Sequence, residues 1–350
     1  MNHPLRWLLA PLAMLYGFIV RLRHNLYDRG WLPVRKLPVP VISVGNLQMG
    51  GTGKTPLVIH LVRFYQAWGK RVGVLTRGYG RREKKNVVVL KDGQSTPTAD
   101  QVGDEPLLIY QHLQNGALGV GARRWEVATE MLRQITPDVI ILDDGLQHRA
   151  LHRDVDICLI DVTRWKHPGW LFPVSYFRDL PRVLRRVSAV ILTKGEHHPE
   201  RLAMVRQEVR RYTRAPLFTG TLQLVALRNL KTGVEVEWKR LAGQKFVVFS
   251  GIANPGHFLS TLQQEGLVIA DYRIFSDHHT YTVEDVQSLV QVAREHQIPH
   301  LLTTEKDAVK LDAFRASLPD SVNLWVTVTE FHVEPEEPWR AFLEQVFSGA

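Results

Sequence analysis

The chain has 350 residues, 45% hydrophobic and 23% charged, a composition that excludes a disordered protein and a length that favours two compact domains. Its one cysteine, Cys158, excludes an internal disulfide and a thiolate metal cage, and fits a reducing compartment such as cytoplasm. A formal net charge of +9 favours an anionic partner: nucleic acid, acidic lipid headgroups or a phosphorylated substrate. The basic residues fall in short groups, Arg21/Arg23 and Arg81/Arg82/Lys84/Lys85, and each group also reads as solvated surface. No recognition module accompanies them, so no nucleic-acid partner is expected.

The first segment, Trp7 to Val20, is almost wholly apolar and runs straight into Arg21, Arg23 and His24. It is shorter than the roughly 20 residues that cross a bilayer. Pro11 interrupts it early, and no small-residue cleavage site follows, which argues against a secretory leader. Two readings stay open. The segment is either a helix lying in the membrane interface, with Trp7, Tyr16 and Trp31 near headgroup depth, or a helix buried on the domain behind it.

From Pro38 onward the pattern is α/β. Val39–Val44 reads as a buried strand, Gly50–Gly53 as a loop and Lys54–Trp68 as a helix. Apolar strands are expected at Arg71–Leu75, Asn86–Leu90, Val139–Leu142, Val155–Ile160 and Ala189–Leu192, with helices at Glu105–Gln114 and Trp125–Gln134. Buried strands alternating with helices imply a mostly parallel, doubly wound sheet. After Thr219 a strand pair, Leu222–Leu230 and Val234–Trp238, reads as a connector. A second α/β unit follows: strands Phe246–Ser250, Leu267–Phe275, His300–Thr303 and Asn323–Val328, and helices Gly256–Glu265, Val283–His296 and Trp339–Phe347. The expected organisation is a membrane-associating segment (1–36), a phosphate-loop domain (37–220), a connector (221–239) and a smaller α/β domain (240–350) closing a cleft.

Gly50-Gly-Thr-Gly-Lys-Thr55 lies between an apolar strand and an amphipathic helix, the context a phosphate-binding loop requires. Gly50, Gly51, Thr52 and Gly53 let backbone N–H groups converge on phosphate oxygens, and the helix start adds its partial positive charge. In this motif Lys54 reaches the β- and γ-phosphates of ATP and Thr55 binds Mg²⁺. The strict pattern has glycine at position 48; here it is Gln48. Asp138-Val-Ile-Ile-Leu-Asp-Asp144 has apolar residues ending in acid at a strand's carboxyl end, an arrangement that holds Mg²⁺ or its water. Neighbouring side chains on a strand point opposite ways, so Asp143 and Asp144 differ in role unless the strand has ended. Gln147 and His148 prolong that loop. Thr193-Lys-Gly-Glu196 ends a strand where P-loop proteins read the nucleotide base; an ordinary strand-to-helix turn is the other reading. Asp104-Glu105-Pro106 is a site candidate or simply a helix start, since acids favour the first turn.

Taken together, Ser43-Val-Gly-Asn46 before the phosphate loop, Thr76-Arg-Gly-Tyr79, Gly103-Asp-Glu-Pro106, Asp143-Asp-Gly-Leu-Gln-His-Arg149, Phe249-Ser-Gly-Ile252 and Phe275-Ser-Asp-His278 resemble the tetraacyldisaccharide 4'-kinases of lipid A biosynthesis. The match runs from the N-terminal segment to about Lys310. The resemblance implies phosphorylation of the 4'-hydroxyl of a tetraacylated, 1-phosphorylated glucosamine disaccharide to give lipid IVA, at the cytoplasmic face of a Gram-negative inner membrane. It implies Asp104 as general base paired with His278 from the second unit. Asp143 and Asp144 would organise metal and transition state, with Glu105 and Gln147 beside the metal. Arg77, Tyr79, Arg124 and His148 would face the substrate, with Arg123 the rival for Arg124. A monomer is expected. Two other classes compete. A P-loop GTPase metallochaperone needs a Cys/His relay that this chain lacks, and a membrane-recruited ATPase switch would form no phosphorylated lipid.

Overall fold

A computed structural model describes residues 4–82, 85–91 and 96–348. A 3-10 turn over Pro4–Leu9 leads into helix α1 (Ala10–Asp28), which continues well past the apolar stretch. Pro11 sits in its first turn, where a missing N–H costs nothing, so it starts the helix rather than interrupting it.

The first unit comprises β1 (Val41–Asn46), α2 (Lys54–Ala67), β2 (Val72–Thr76), β3 (Val87–Leu90), α3 (Ala99–Val102), α4 (Asp104–His112), β4 (Gly116–Val120) and α5 (Arg124–Gln134). It continues with β5 (Val139–Asp143), β6 (Val155–Asp161), β7 (Ala189–Thr193), α6 (Pro199–Arg210) and β8 (Leu217–Asn229). Then follow β9 (Glu235–Val236), β10 (Lys245–Ser250), α7 (Pro255–Gln264), β11 (Val268–Ile274), α8 (Val283–Glu295), β12 (His300–Thr304), α9 (Glu305–Leu311), β13 (Asn323–Glu334) and α10 (Glu336–Ser348).

One hydrogen-bonded sheet runs through both units, in the order β11-β10-β12-β13-β8-β7-β6-β1-β5-β2-β4-β3, with β9 on β8. From β8 to β4 all neighbours are parallel, with β3 an antiparallel edge; β11, β10, β12 and β13 are parallel to one another. The two parallel sets meet at an antiparallel seam between β8 and β13. Strands β1, β2, β4, β5 and β7 are buried at every position, as helices on both faces require.

Helix α2 lies in the main core, whose residues include Leu57, Leu61 and Tyr65 but also Phe331 and Val333 of β13 and Trp339 and Leu343 of α10. The Tyr65 hydroxyl donates to the Leu343 carbonyl at 3.1 Å. The second unit has separate clusters, around Phe249, Leu289 and Val326 and around Phe246, Leu262 and Leu302.

Helix α1 docks by one edge. Its Tyr16 hydroxyl donates to the Arg178 carbonyl (3.0 Å) and Arg23 to the Gln147 carbonyl (2.8 Å), while Asp28 accepts from Arg149 (2.7 Å). The apolar face is not buried on the domain: Leu8 is 74% exposed, Met14 63% and Phe18 60%, with Leu12, Leu15 and Ile19 beside them. Among the described residues no helix is long and apolar enough to cross a membrane. Of the basic group at 81–85, Lys84 lies outside the described residues, and Arg81 is buried.

Candidate active site

Asn46, Thr76, Asp143, Asp161 and Thr193 end β1, β2, β5, β6 and β7, so they share the carboxyl edge of the parallel set, where open α/β sheets take ligands. The loop leaving β1 reaches α2 through Gly53, whose φ of 92° belongs to the left-handed region that favours glycine. Gly50 likewise has a φ of 99°, in the region that favours glycine, and the Arg164 guanidinium lies against it. The loop is tied down on several sides. Asn46 donates to the Thr52 hydroxyl (2.6 Å), Thr193 to the Thr52 carbonyl (3.1 Å) and Lys194 to the Gly51 carbonyl (2.6 Å). Gln48, fully buried, accepts from the Asp161 N–H (2.8 Å) and donates to the Asp161 carbonyl (3.0 Å). The glutamine where the strict motif has glycine is therefore a clasp between the loop and β6.

The two acids after β5 do diverge. Asp143 is buried; one oxygen accepts from Thr76 (3.0 Å) and the other has no partner. Burial and the neighbouring Asp144 charge push its carboxyl up to about 6, with Lys54 opposing them. Asp144 adopts a positive φ of 52°, so the strand has ended, and its carboxylate is clamped by both terminal nitrogens of Arg178. Lys54 lies 3.7 Å away. Burial opposes its charge, but Arg178 and Lys54 hold the Asp144 carboxyl well below the usual carboxylate range.

Asp104 opens α4, and its Oδ2 lies 3.1 Å from Nδ1 of His278, which follows β11 in the second unit. Lys310 of α9, 7% exposed, places Nζ 3.7 Å from the same oxygen and 3.2 Å from Asp307. Lys306, also on α9, reaches Glu105 (3.6 Å), Asp277 (3.2 Å) and Nε2 of His278 (3.4 Å). Burial works against ionisation of Asp104, yet the His278 hydrogen bond and the charges of Lys310 and Lys306 outweigh it and lower its pKa.

Residues 5–348 match the family described as tetraacyldisaccharide-1-P 4'-kinase (LpxK). The chain belongs to that family. It is 37% identical to the tetraacyldisaccharide 4'-kinase of Geobacter sulfurreducens over 341 residues, covering 97% of this chain and 92% of that one. With that of Syntrophus aciditrophicus it shares 37% over 317 residues, 88% and 85% of the two chains. The crystal structure of LpxK from Aquifex aeolicus in complex with ATP superposes with a TM-score of 0.81 at 32% identity, covering 98% of this chain and 99% of that one.

Around the family's motifs the remaining candidates divide by setting. Arg124 is buried, donating to the Gly121 and Ala122 carbonyls (3.1 Å each) within the field of Asp143 and Asp144; Arg123 is at the surface, paired with Glu126. His148 is half-buried, and burial together with Arg124, Arg153, Arg23 and Arg77 lowers its pKa to about 4. Tyr79 is 74% exposed, with its ring centroid 6.0 Å from that of His278, and Arg77 is exposed. Gln147 donates to the Asn46 carbonyl (3.1 Å), and its side-chain oxygen has no partner. Thr193 is engaged with the loop's own backbone, and Glu196 is exposed beyond it.

Arg178, Lys306 and Lys310 are not marked by any motif used above. Arg178 sits in an irregular segment whose sequence carries no signal. For Lys306 a signal exists: Thr304 caps α9 by accepting from the Asp307 N–H, so Lys306 stands in a first turn, where a cation opposes the helix dipole; Lys310, in the last turn, gives none.

Proposed function

We propose that this chain moves the γ-phosphate of ATP onto the 4'-hydroxyl of a tetraacylated, 1-phosphorylated glucosamine disaccharide, giving lipid IVA. The observation that carries the reading is the Asp104–His278 pair, joined across the two units on a helix whose Glu105 is felt by Asp143. A sugar hydroxyl holds its proton tightly, so an acceptor matters as the transition state forms. Asp104 is the acceptor and His278 orients it. Lys54 and the loop amides stabilise the phosphoryl charge, the dominant contribution in such transfers. Asp144, fixed by Arg178, holds Lys54 in place.

Mg²⁺ fits this donor set, because Asp143 leaves a buried oxygen unpartnered and Thr55 offers a hydroxyl in the first turn of α2. Among the described residues no cluster of three His, Cys, Asp or Glu forms a protein-only metal cage, which suits an ion held partly by phosphates and water. When bound, the ion neutralises charge on the β- and γ-phosphates. Glu105 and Gln147 are the further groups proposed for its shell. Arg77, Tyr79, Arg124 and His148 are proposed to face the substrate, and Glu196 the nucleotide base.

The proposed organisation takes residues 37–220 as the phosphate-loop unit, 221–239 as connector and 240–350 as the closing unit, with β8 running across the first boundary and α10 packing back on α2. Segment 1–36 is proposed as a peripheral membrane contact at the cytoplasmic face of the inner membrane, supported by its exposed apolar face. A monomer with no nucleic-acid partner completes the proposal. The test is purified protein with γ-labelled ATP and the lipid disaccharide. Label in the 4'-phosphorylated lipid is expected; ATP hydrolysis with no labelled lipid would make the chain a switch, and GTP preference with metal binding a metallochaperone.

A further inference from the structure

We infer that Lys306 is a positioning residue that keeps Nε2 of His278 unprotonated and so holds the ring in the neutral Nδ1–H form that faces Asp104. The inference builds on the reading of Asp104 as proton acceptor but begins from the ring itself. His278 has one partner at each nitrogen. Nδ1 lies 3.1 Å from a carboxylate oxygen of Asp104, and Nε2 lies 3.4 Å from the ammonium of Lys306. An ionised carboxylate only accepts, so Nδ1 carries the hydrogen. An ammonium only donates, so the nitrogen facing it presents a lone pair. The two constraints agree on a single neutral form, and the bond at one ring nitrogen decides the state of the other.

The remaining neighbours do not reverse this. Asp277 stands 4.0 Å from Nε2, beyond hydrogen-bond reach, and is itself held by Lys306 at 3.2 Å. Lys310 lies on the Asp104 side, 3.7 Å from the shared oxygen. The Tyr79 ring centroid lies 6.0 Å from that of the imidazole, and Lys306 is the hydrogen-bond neighbour found at Nε2. Lys306 is itself fixed: its side chain is 19% exposed, lodged between Glu105 and Asp277, on a helix capped by Thr304 and Asp307. His278 has a positive φ of 60°, with its N–H donating to the Gly251 carbonyl at 3.2 Å, so its backbone is pinned as well. With both ends fixed, the ring orientation follows from the proton's place.

A purely structural Lys306, one that only links α9 to α4 through Glu105, would leave the imidazole unchanged when replaced. The experiment is therefore a two-bond ¹⁵N–¹H correlation spectrum of ¹⁵N-histidine-labelled protein, with His278 assigned by its loss in His278→Gln. In the unmodified protein His278 should show a protonated Nδ1 and an unprotonated Nε2. In Lys306→Met, Nδ1 should stay protonated toward Asp104 while Nε2 gains a proton, so the signature should move to imidazolium. Lys306→Arg, which keeps a pure donor, should retain the Nδ1–H form. Turnover of Lys306→Met should fall by about tenfold to a hundredfold, with KM for ATP and lipid within about twofold, and Lys306→Arg should recover most of it. An Nε2–H form in the unmodified protein, or an unchanged spectrum in a folded Lys306→Met, would overturn the inference. A protonated Nε2 in Lys306→Met with full turnover would uphold the Lys306 assignment and instead remove Asp104–His278 from the proposed mechanism.

Discussion

Replacing Gln48 by glycine makes the loop conform to the strict phosphate-loop pattern, and it should make the protein worse. Gln48 and Asp161 are both fully buried, and the side chain satisfies both backbone groups of Asp161 at 2.8 and 3.0 Å. Gln48→Gly leaves that N–H and carbonyl without partners, at about 1–3 kcal/mol each. The added backbone freedom of glycine costs roughly 0.5–1 kcal/mol more. A water entering the vacated space would recover part of this, so a net loss of about 4 kcal/mol is expected. With an unfolding entropy of about 2.1 cal/mol/K per residue, that lowers Tm by roughly 5 °C in a chain of this length. Urea unfolding should show the midpoint falling with the slope unchanged. ATP titration should show weaker binding, because the same loop is held through Lys194 to the Asp161 carboxylate (2.8 Å) and no longer through Gln48. A variant as stable as the parent, binding ATP equally well, would refute the clasp.

Lys54→Ala should cut phosphoryl transfer by several orders of magnitude while the protein stays folded, read by labelled-lipid formation. Asp104→Ala and His278→Ala should each lower kcat strongly, and the double variant should lose far less than the product of the two; multiplicative losses would mean they act separately. Replacing Leu8, Leu9, Leu15 and Phe18 with serine should release the protein from anionic vesicles yet leave ATP binding intact, and salt should weaken the parent's binding. His60 accepts from the Trp339 indole N–H at 3.1 Å, and burial with nearby His332 lowers its pKa to about 4. The unfolded chain then binds the proton first, so this contribution is complete above about pH 6.5 and is lost as pH falls toward 4. The stability difference between the parent and His60→Gln should shrink over that window.

Much of this was legible in the residues because it depends on local pattern. Lys54–Trp68 reads as a helix and is one, since its glycine-rich entry and apolar spacing agree with the tertiary demand. Strand β4 was missed because Gly116-Ala-Leu-Gly-Val has two glycines, which reads as poor strand sequence. The structure supplies the reason: a Cβ at Gly116 would lie 2.0 Å from the Val72 carbonyl oxygen, and one at Gly119 would strike Val127 and Leu75. Packing from distant residues overrode propensity there. The Asp143 carboxylate is recognisable from its strand end, whereas the Arg178 clamp on its neighbour depends on a loop that only the fold brings back. The same holds for Lys310, which meets Asp104, and Lys306, which meets Glu105, each from more than 200 residues along the chain.

The return of the last helix to the first unit has a consequence for biosynthesis. Tyr65 and Leu343, which share a hydrogen bond, are 278 positions apart. Trp339 and Leu343 cover apolar surface of α2, the helix that carries the phosphate-binding lysine. On a ribosome, α2 emerges early and must wait, with that face bare, until nearly the whole remaining chain has been made. Such a delayed closure exposes a hydrophobic helix to chaperones or to wrong partners, and favours a late, concerted final folding step over independent folding of the nucleotide-binding half.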